Sequence, residues 1–331
     1  MSAFNPHPLI RNGHVQSILA SSGLRRPLLR RRGAGLLANA RPLILDAGDG
    51  VRLHGLLSRQ PGAGHAPRQT VILIHGWEGC AESNYLLSAA GTLYQAGYDV
   101  FRLHLRDHGP THHLNAELFH AARLDEVVNA VRAFEMHYAD GPTCLVGFSL
   151  GGNFALRVAS QAQSAGLRLR HVVAVSPAIK PLTTMAAMEH APAFYHQYFV
   201  RKWQRSLSRK HELFPGLLDY EQVRRLRRLR ELTDYLVEHH TDFTSAEAYL
   251  NSYEITPQVL ADITCPVDII TAEDDPVIPA QDFYTLQLPP QVRLRMLPRG
   301  GHCGFVKDLR LQGWIDEELL RLFGPVSPLA G

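Results

Sequence analysis

The sequence predicts an α/β fold, with a mostly parallel central sheet flanked by helices. Short apolar runs of strand length alternate with longer helical patterns between residues 70 and 175, and this alternation resumes at Val267. Such alternation is typical of a parallel sheet with right-handed crossovers. From Pro181 to Pro257 the pattern is helical throughout, which predicts a helical cap inserted into the α/β domain.

Composition is ordinary for a globular protein. The 331 residues are 45% hydrophobic and 20% charged, enough for one large core. A net charge of +3 gives no global indication of nucleic-acid binding, so we predict no nucleic-acid partner. No apolar run approaches the ~20 residues that span a bilayer, and residues 1–10 lack a signal-peptide pattern, so we expect a cytoplasmic protein. The widely spaced cysteines predict reduced thiols: Cys80, Cys144, Cys265 and Cys303.

The elements follow in chain order. Residues 1–40 are expected to be an irregular extension that packs on the core, and residues 41–331 to form the α/β domain with its cap at 181–257. Gly48-Asp-Gly50 predicts a hairpin turn between two strands. The predicted elements up to the cap are strands 43–45 and 51–57, a Pro/Gly loop 61–67, strand 70–74, helix 85–96, strand 99–105, helix 124–138, strand 144–146, helix 153–161 and strand 171–175.

The cap and the C-terminal part are predicted by the same patterns. Apolar residues at 223, 226, 229 and 232 are interpreted as one face of an arginine-rich helix. After the cap, strands are predicted at 267–271 and 292–296, and a closing helix at 314–323.

Ser149 lies in Gly147-Phe-Ser149-Leu-Gly151, between a predicted strand and a predicted helix. This segment fits the G-x-S-x-G nucleophile elbow of the α/β-hydrolase fold, whose tight turn exposes the serine hydroxyl. Small residues on both sides let strand and helix approach closely. Because the motif stands in the required context, we predict Ser149 as a nucleophile.

A serine hydroxyl needs a base and a carboxylate that orients the base, and in this fold they follow in the order Ser, Asp, His. Both occur directly after predicted strands, where a parallel sheet builds its site. His302 is the predicted base. Asp274 and Asp275 compete for the orienting role, and Asp275 is favoured because it directly precedes Pro-Val-Ile-Pro.

The reaction also needs donors for the developing oxyanion. His75-Gly-Trp77-Glu-Gly79 follows the 70–74 strand, where the first donor is expected. The backbone N–H groups of Trp77 and Leu150 are the candidates. His75 is expected to have a structural role in this loop.

A cluster of histidines raises the question of a metal. His104, His108, His112 and His113 crowd one segment, and a metal site is conceivable there. No acidic third ligand is fixed by spacing, so polar loop histidines near the site mouth are the favoured interpretation. No G-x-G-x-x-G or Walker pattern is present, so neither a nucleotide cofactor nor a metal is predicted.

The chain resembles the YheT-like branch of the AB hydrolase superfamily over most of its length. The motifs that carry the resemblance are Gly13-His-Val-Gln16 within residues 8–19, His75-Gly-Trp-Glu-Gly79, Gly147-Phe-Ser-Leu-Gly-Gly-Asn153, Asp274-Asp-Pro276 and Gly301-His-Cys-Gly-Phe305. The resemblance implies an α/β-hydrolase fold, a Ser-Asp-His charge relay and hydrolysis of carboxylic esters. Related animal proteins act on acylglycerols and phospholipids, often behind an N-terminal membrane anchor. The sequence shows no such anchor, so membrane residence is not expected.

One motif departs from the family pattern. Relatives typically carry Asn-x-Arg-Gly-x-Gly where this chain has His104-Leu-Arg-Asp-His-Gly109. His104 and Asp107 thus replace the usual Asn and Gly. A different substrate preference is therefore expected.

The leading functional hypothesis is a serine hydrolase that cleaves carboxylic esters, acyl or lipid-like, through an acyl-enzyme. An acyltransferase on the same fold and a non-catalytic binding protein are the alternatives. Cap side chains are expected to line the acyl pocket: Met185, Met188, Phe194, Tyr195, Tyr198, Phe199 and Trp203. The arginines at 224, 225, 227 and 228 suggest a peripheral contact with anionic lipid, although such runs are usually solvated. The oligomeric state is left open.

Overall fold

The computed structural model describes residues 4–62 and 68–325. Most of the predicted 61–67 loop lies outside the described residues, as do the ends of the two predicted domain ranges, at residues 1–3 and 326–331. In the described chain the strands are β1 Ala40–Asp46, β2 Arg52–Ser58, β3 Thr70–Ile74, β4 Asp99–Leu103, β5 Thr143–Phe148, β6 Leu169–Val175, β7 Val267–Ala272 and β8 Val292–Leu297.

Helices flank these strands and follow them in sequence. They are α1 Gly13–Ser21, α2 Arg26–Arg32, α3 Ala34–Ala38, α4 Asn84–Gln95, α5 Leu124–Tyr138, α6 Leu150–Ser160, α7 Ala162–Ala165, α8 Pro181–His190, α9 Ala193–Leu213, α10 Tyr220–Val223, α11 Leu229–His240, α12 Ala246–Asn251, α13 Pro257–Ala261, α14 Gln281–Tyr284 and α15 Trp314–Phe323. A 3-10 turn, Pro8–Ile10, precedes α1. Among the described residues, no helix is both long and apolar enough to cross a membrane.

The strands form one sheet in the order β1-β2-β4-β3-β5-β6-β7-β8. β1 and β2 form the predicted antiparallel hairpin, and β2 pairs antiparallel with β4. From β4 to β8 all neighbours are parallel. The predicted α/β-hydrolase fold is therefore confirmed. Because the strands β3 to β8 share one direction, their carboxyl ends meet at one edge of the sheet, where the loops that bear the site emerge.

The N-terminal segment is not irregular, and the prediction for residues 1–40 was wrong in this respect. The Asn12 side chain caps α1 by accepting from the N–H groups of His14 and Val15, and Pro27 stands in the first turn of α2. Leu29 of α2 and Leu36 of α3 are buried with the residues of α4. The many arginines and prolines obscured these short helices, although both start signals are visible in the sequence.

The predicted arginine-rich helix over 223–232 is also wrong. α10 ends at Val223 and α11 begins at Leu229, so the basic residues 224, 225, 227 and 228 lie on the connection between them. An ideal α-helix turns about 100° per residue, so Val223 and Leu232 would lie about 180° apart and not on one face. The arginines form no continuous basic helix face; Arg224 pairs with Glu221 at 2.5 Å.

The segment predicted as a helical cap, residues 181–257, is mainly helical and lies between β6 and β7. α8 to α12 follow one another from Pro181 to Asn251 before the chain returns to the sheet. The long helix α9 is fastened to the loop after β4 by a buried ion pair, Lys210 Nζ to Asp107 Oδ1 at 2.7 Å. Lys210 also donates to the carbonyl of Asn115 in that loop at 2.5 Å. One buried ammonium thus holds two segments of the fold together.

Candidate active site

Ser149 occupies a strained turn between β5 and α6. Its φ of 55° and ψ of −121° lie outside the regions that residues with side chains favour. Its N–H donates to the Val175 carbonyl of the neighbouring strand at 2.8 Å. A Cβ at Gly147 would overlap the backbone of Gly151, so the turn closes only with glycine there. The sequence thus builds the predicted elbow at this position.

Asp275 and His302 reach Ser149 from the loops after β7 and β8. The distance between His302 Nε2 and Ser149 Oγ is 2.9 Å, and that between His302 Nδ1 and Asp275 Oδ2 is also 2.9 Å. With the proton on Nδ1, the ring donates to the carboxylate and accepts from the serine hydroxyl. The structure thus brings together the three side chains that the sequence singled out.

The two neighbouring aspartates have different partners. Asp275 contacts His302, and its other carboxylate oxygen accepts from the N–H groups of Val277 and Ile278 at 2.8 and 3.0 Å. Asp274 instead accepts from the backbone N–H of Gly301 at 2.8 Å. Asp275 is therefore the carboxylate in contact with the imidazole, while Asp274 contacts the loop that carries it.

The site stabilises the doubly protonated, charged form of the His302 ring. Burial of the ring disfavours the charged form, but Asp275 and Cys303 together outweigh this effect, so the His302 pKa lies well above its usual value. The side chain of Asp275 is fully buried. A buried carboxylate held by two backbone N–H groups stabilises an imidazolium, which is the species that a general base becomes.

The loop after β3 lies beside Ser149. A Cβ at Gly76 would lie 3.0 Å from Ser149 Cβ, which shows how closely the loop passes. Its conformation is held by Tyr85, whose hydroxyl accepts from the Gly76 N–H at 3.0 Å, and by His75, whose Nε2 accepts from the Leu105 N–H at 3.2 Å. His75 is fully buried, and burial lowers its pKa well below the usual value. Its contacts are those of a neutral structural histidine.

The predicted oxyanion donors lie on this loop and at the start of α6. Among the described residues, the Trp77 N–H, which lies in a turn, donates to no backbone carbonyl, and the Leu150 N–H donates to none outside α6. Leu150 is the first residue of α6, so its N–H also has no partner within that helix. Neither N–H is thus committed to a backbone acceptor, in agreement with the role predicted for the two groups.

The ammonium group of Lys202 lies close to Glu78, next to Trp77. Lys202 of α9 donates to the Glu78 carbonyl at 2.8 Å. Burial raises the pKa of Glu78 to about 8, although Lys202 opposes this rise. Trp77 itself is stacked on Phe199, with ring centroids 5.5 Å apart. Helix α9 therefore contacts the loop of the candidate donor through a hydrogen bond and an aromatic stack.

A cavity of about 640 Å³ opens above Ser149 and is lined mostly by apolar side chains. Helices α8 and α9 contribute all of the side chains that the sequence assigned to an acyl pocket: Met185, Met188, Phe194, Tyr195, Tyr198, Phe199 and Trp203. Tyr249 and Tyr253, from α12 and the segment after it, also line the cavity and were not predicted. Its size and apolar lining suit a small or medium-sized apolar ligand.

The sequence suggested that the histidine cluster lies near the mouth of the site. The structure contradicts this suggestion, because most of the cluster is buried. His104, His108 and His112 are buried, whereas His113 is exposed. Burial lowers the pKa of His104 to about 3 and that of His108 to about 4, so both rings are neutral. His104 Nε2 accepts from the Ala81 N–H at 3.1 Å. Among the described residues, no group of three or more histidine, cysteine or acidic side chains is arranged to hold a metal ion.

Asp107, where relatives carry glycine, has a φ of 55°, which explains why glycine suits that position. Its carboxylate accepts hydrogen bonds from Lys210 Nζ and from the Phe119 N–H, the latter at 2.9 Å. The departure from the family motif therefore coincides with the attachment point of α9.

Residues 69–309 match the family model of the alpha/beta hydrolase fold. The chain belongs to this family. Within it the chain is YheT-like: it is 27% identical over 326 residues to "Putative esterase YheT" of Escherichia coli (strain K12), which covers 96% of this chain and 91% of the relative.

Solved structures of other proteins share the fold. The esterase Pf2001 of Pyrococcus furiosus superposes with a TM-score of 0.55 at 16% identity, over 86% of this chain and 88% of the other. Est1E of Butyrivibrio proteoclasticus, solved with bound ferulic acid, gives a TM-score of 0.55 at 16% identity, over 85% and 97%. At such identities the likeness supports the fold alone.

Proposed function

We propose that this alpha/beta hydrolase cleaves carboxylic esters through an acyl-enzyme, with Ser149 as nucleophile, His302 as general base and acid, and Asp275 as the residue that orients His302. The observation that carries the proposal is the position of the His302 ring, with one nitrogen 2.9 Å from Ser149 Oγ and the other 2.9 Å from Asp275 Oδ2. The esterase names of YheT and of Pf2001 agree with this reaction class.

The proposed steps follow from this geometry. Ser149 Oγ attacks the ester carbonyl while its proton passes to His302 Nε2, and the Trp77 and Leu150 N–H groups stabilise the oxyanion. The imidazolium then gives its proton to the leaving alcohol, and Ser149 is left acylated. Water then attacks the acyl group while its proton passes to His302. His302 returns this proton to Ser149 Oγ, and the carboxylic acid is released.

The substrate class follows from the cavity. Because its walls are mainly apolar and aromatic, we propose an acyl or lipid-like ester that places its apolar part between the helices of the cap. We propose that these helices act as a substrate-selecting cap on the α/β domain. The cavity of about 640 Å³ beside the Ser149 turn supports this role.

Labelling with a fluorophosphonate tests the nucleophile. The wild-type protein is expected to be labelled at Ser149 and to hydrolyse p-nitrophenyl esters, and Ser149→Ala is expected to lose both activities while remaining folded. Labelling of a folded Ser149→Ala protein would exclude Ser149. Product analysis with and without an added alcohol then distinguishes hydrolysis from acyl transfer, because a transferase forms a new ester from the alcohol.

A further inference from the structure

The loop that carries His302 has an unfavourable backbone. Gly301, Cys303 and Phe305 have φ values of 55°, 55° and 46°, in the left-handed region. Two of these residues have side chains, which rarely adopt this conformation. Such a loop keeps its shape only where its surroundings hold it. The contacts of this loop therefore decide where the imidazole lies.

Helix α1 supplies one set of these contacts through Gln16. The Gln16 side chain is fully buried. Its Nε2 donates to the carbonyls of Ile10 at 2.7 Å and Val306 at 2.9 Å, and its Oε1 accepts from the Val306 N–H at 2.7 Å. The amide thus pairs with both backbone groups of Val306, as a neighbouring strand would. This fixes the C-terminal side of the His302 loop.

Ser17 supplies a second contact, at His302 itself. Its Oγ accepts from the backbone N–H of His302 at 2.8 Å and donates to the Gly13 carbonyl at 2.7 Å. The helix and the loop are so close that a Cβ at Gly301 would overlap the Gly13 carbonyl oxygen. Ser17 is buried, and it also lines the cavity above Ser149. The backbone of His302 is therefore held directly by α1.

We infer that Gln16 and Ser17 are positioning residues that hold His302 within hydrogen-bond reach of Ser149. The inference rests on the proposed function, because it assigns their role in that same reaction. Among the described residues, neither side chain hydrogen-bonds to Ser149 Oγ or to Asp275. Their hydrogen bonds to the loop are with the backbone of His302 and Val306. A displacement of about 1 Å at a reacting group can cost about 100-fold in rate.

Single-turnover labelling with a fluorophosphonate separates positioning from stability. The final labelled fraction reports how much protein is folded and competent, whereas the rate constant reports how well His302 activates Ser149. Ser17→Ala is expected to be labelled to the wild-type final fraction with a rate constant about 10- to 100-fold lower. Ser17→Thr keeps a hydroxyl and is expected to restore most of the rate.

Ser58→Ala is the matched control, because Ser58 is also a buried serine that ties the N-terminal segment to the sheet. Its Oγ donates to the Leu36 carbonyl at 2.8 Å, away from the His302 loop. Ser58→Ala is expected to keep the wild-type rate constant. Gln16→Met, which keeps an unbranched side chain of similar length, is expected to slow labelling at least as much as Ser17→Ala.

The outcomes distinguish the inference from the proposed function. A wild-type rate constant in Ser17→Ala and Gln16→Met, or a reduced final fraction labelled at the wild-type rate, would overturn the positioning role while the serine hydrolase stands. A wild-type protein that is neither labelled nor active on esters would remove the proposed function, and the inference would fall with it.

Discussion

Asp274 and Asp275 are adjacent in sequence but bind different parts of the His302 loop. Asp275 accepts from the imidazole, whereas Asp274 accepts from the Gly301 N–H. Asp275→Asn is expected to lower kcat by about 10⁴-fold, because an amide neither stabilises the imidazolium nor holds the correct tautomer. Asp274→Asn keeps an oxygen that can accept from Gly301 and is expected to have a much smaller effect.

Steady-state kinetics on a short ester measures both variants. Equal thermal unfolding midpoints would show that the comparison reports catalysis and not folding. A larger loss in Asp274→Asn than in Asp275→Asn would reverse the two assignments.

The raised pKa of His302 predicts where activity falls with pH. A general base works in its neutral form, so kcat/KM is expected to be full above its pKa and to fall as pH drops through it. Because Asp275 and Cys303 together hold the His302 pKa above the ordinary value of about 6.5, the acid limb should lie above that pH. Removal of the Asp275 charge lowers the pKa, so residual activity of Asp275→Asn should extend to lower pH. An acid limb at or below pH 6.5 in the wild-type protein contradicts this prediction.

At the scale of elements, the inserted helices α8 and α9 are expected to select the acyl group. Phe194 and Tyr198 line the cavity and are partly exposed. Truncating either side chain to alanine should therefore have little effect on the packing of the core. Phe194→Ala and Tyr198→Ala are each expected to lose about 1.5–3 kcal/mol of binding to a long acyl chain, while acetyl-ester turnover stays near wild type.

A chain-length series of p-nitrophenyl esters measures this effect. Tyr284→Ala provides the control, since Tyr284 is an exposed aromatic residue on α14 that does not line the cavity. An unchanged chain-length optimum in both cavity variants would mean that the helices have a purely structural role.

The attachment of α9 includes one buried ion pair, Lys210 with Asp107. Lys210→Met leaves the Asp107 carboxylate buried without its cation, so the free energy of unfolding is expected to drop by about 3–5 kcal/mol. Lys307→Met removes a half-exposed lysine that pairs with Glu317 and should cost about 0–1 kcal/mol. Denaturant unfolding compares the two variants, and equal losses would show that the buried pair contributes no more than a surface pair.

For the whole molecule, Glu78 links stability to pH. Its pKa of about 8 in the folded protein lies above the ordinary value of 4.5, so the folded state binds the proton more tightly than the unfolded chain does. Stability from this group is therefore full below about pH 4.5 and is lost as pH rises towards 8 and beyond. Glu78→Gln is permanently neutral, so its unfolding midpoint relative to wild type should rise between pH 5 and 9. A pH-independent difference would exclude this ionisation.

The sequence predicts most of the sheet and the three residues of the candidate triad. Ser149 is recognisable because a tight strand-to-helix turn needs small residues at fixed neighbouring positions, which is a local requirement. Asp275 and His302 are recognisable because each follows an apolar strand closely. Patterns within a few residues carry all of this information.

Contacts between distant segments could not be predicted in the same way. Nothing near Lys210 shows that it reaches Asp107, 103 residues away, and nothing near Ser17 shows that it meets His302. Gly13-His-Val-Gln16 is recognisable in the sequence only as a family motif, without a role. The helix predicted over 223–232 failed for a local reason, since a spacing of three residues drifts around a helix of about 3.6 residues per turn.

The bonds between α1 and the His302 loop also determine when the site can exist during synthesis. Gln16 and Val306 are 290 residues apart, and Ser17 and His302 are 285 apart. A ribosome adds about 5–20 residues per second, so α1 is made roughly 15–60 seconds before its partner loop. Until that loop has emerged, the elbow serine can form without its histidine. The nascent chain would therefore remain inert towards the esters around it.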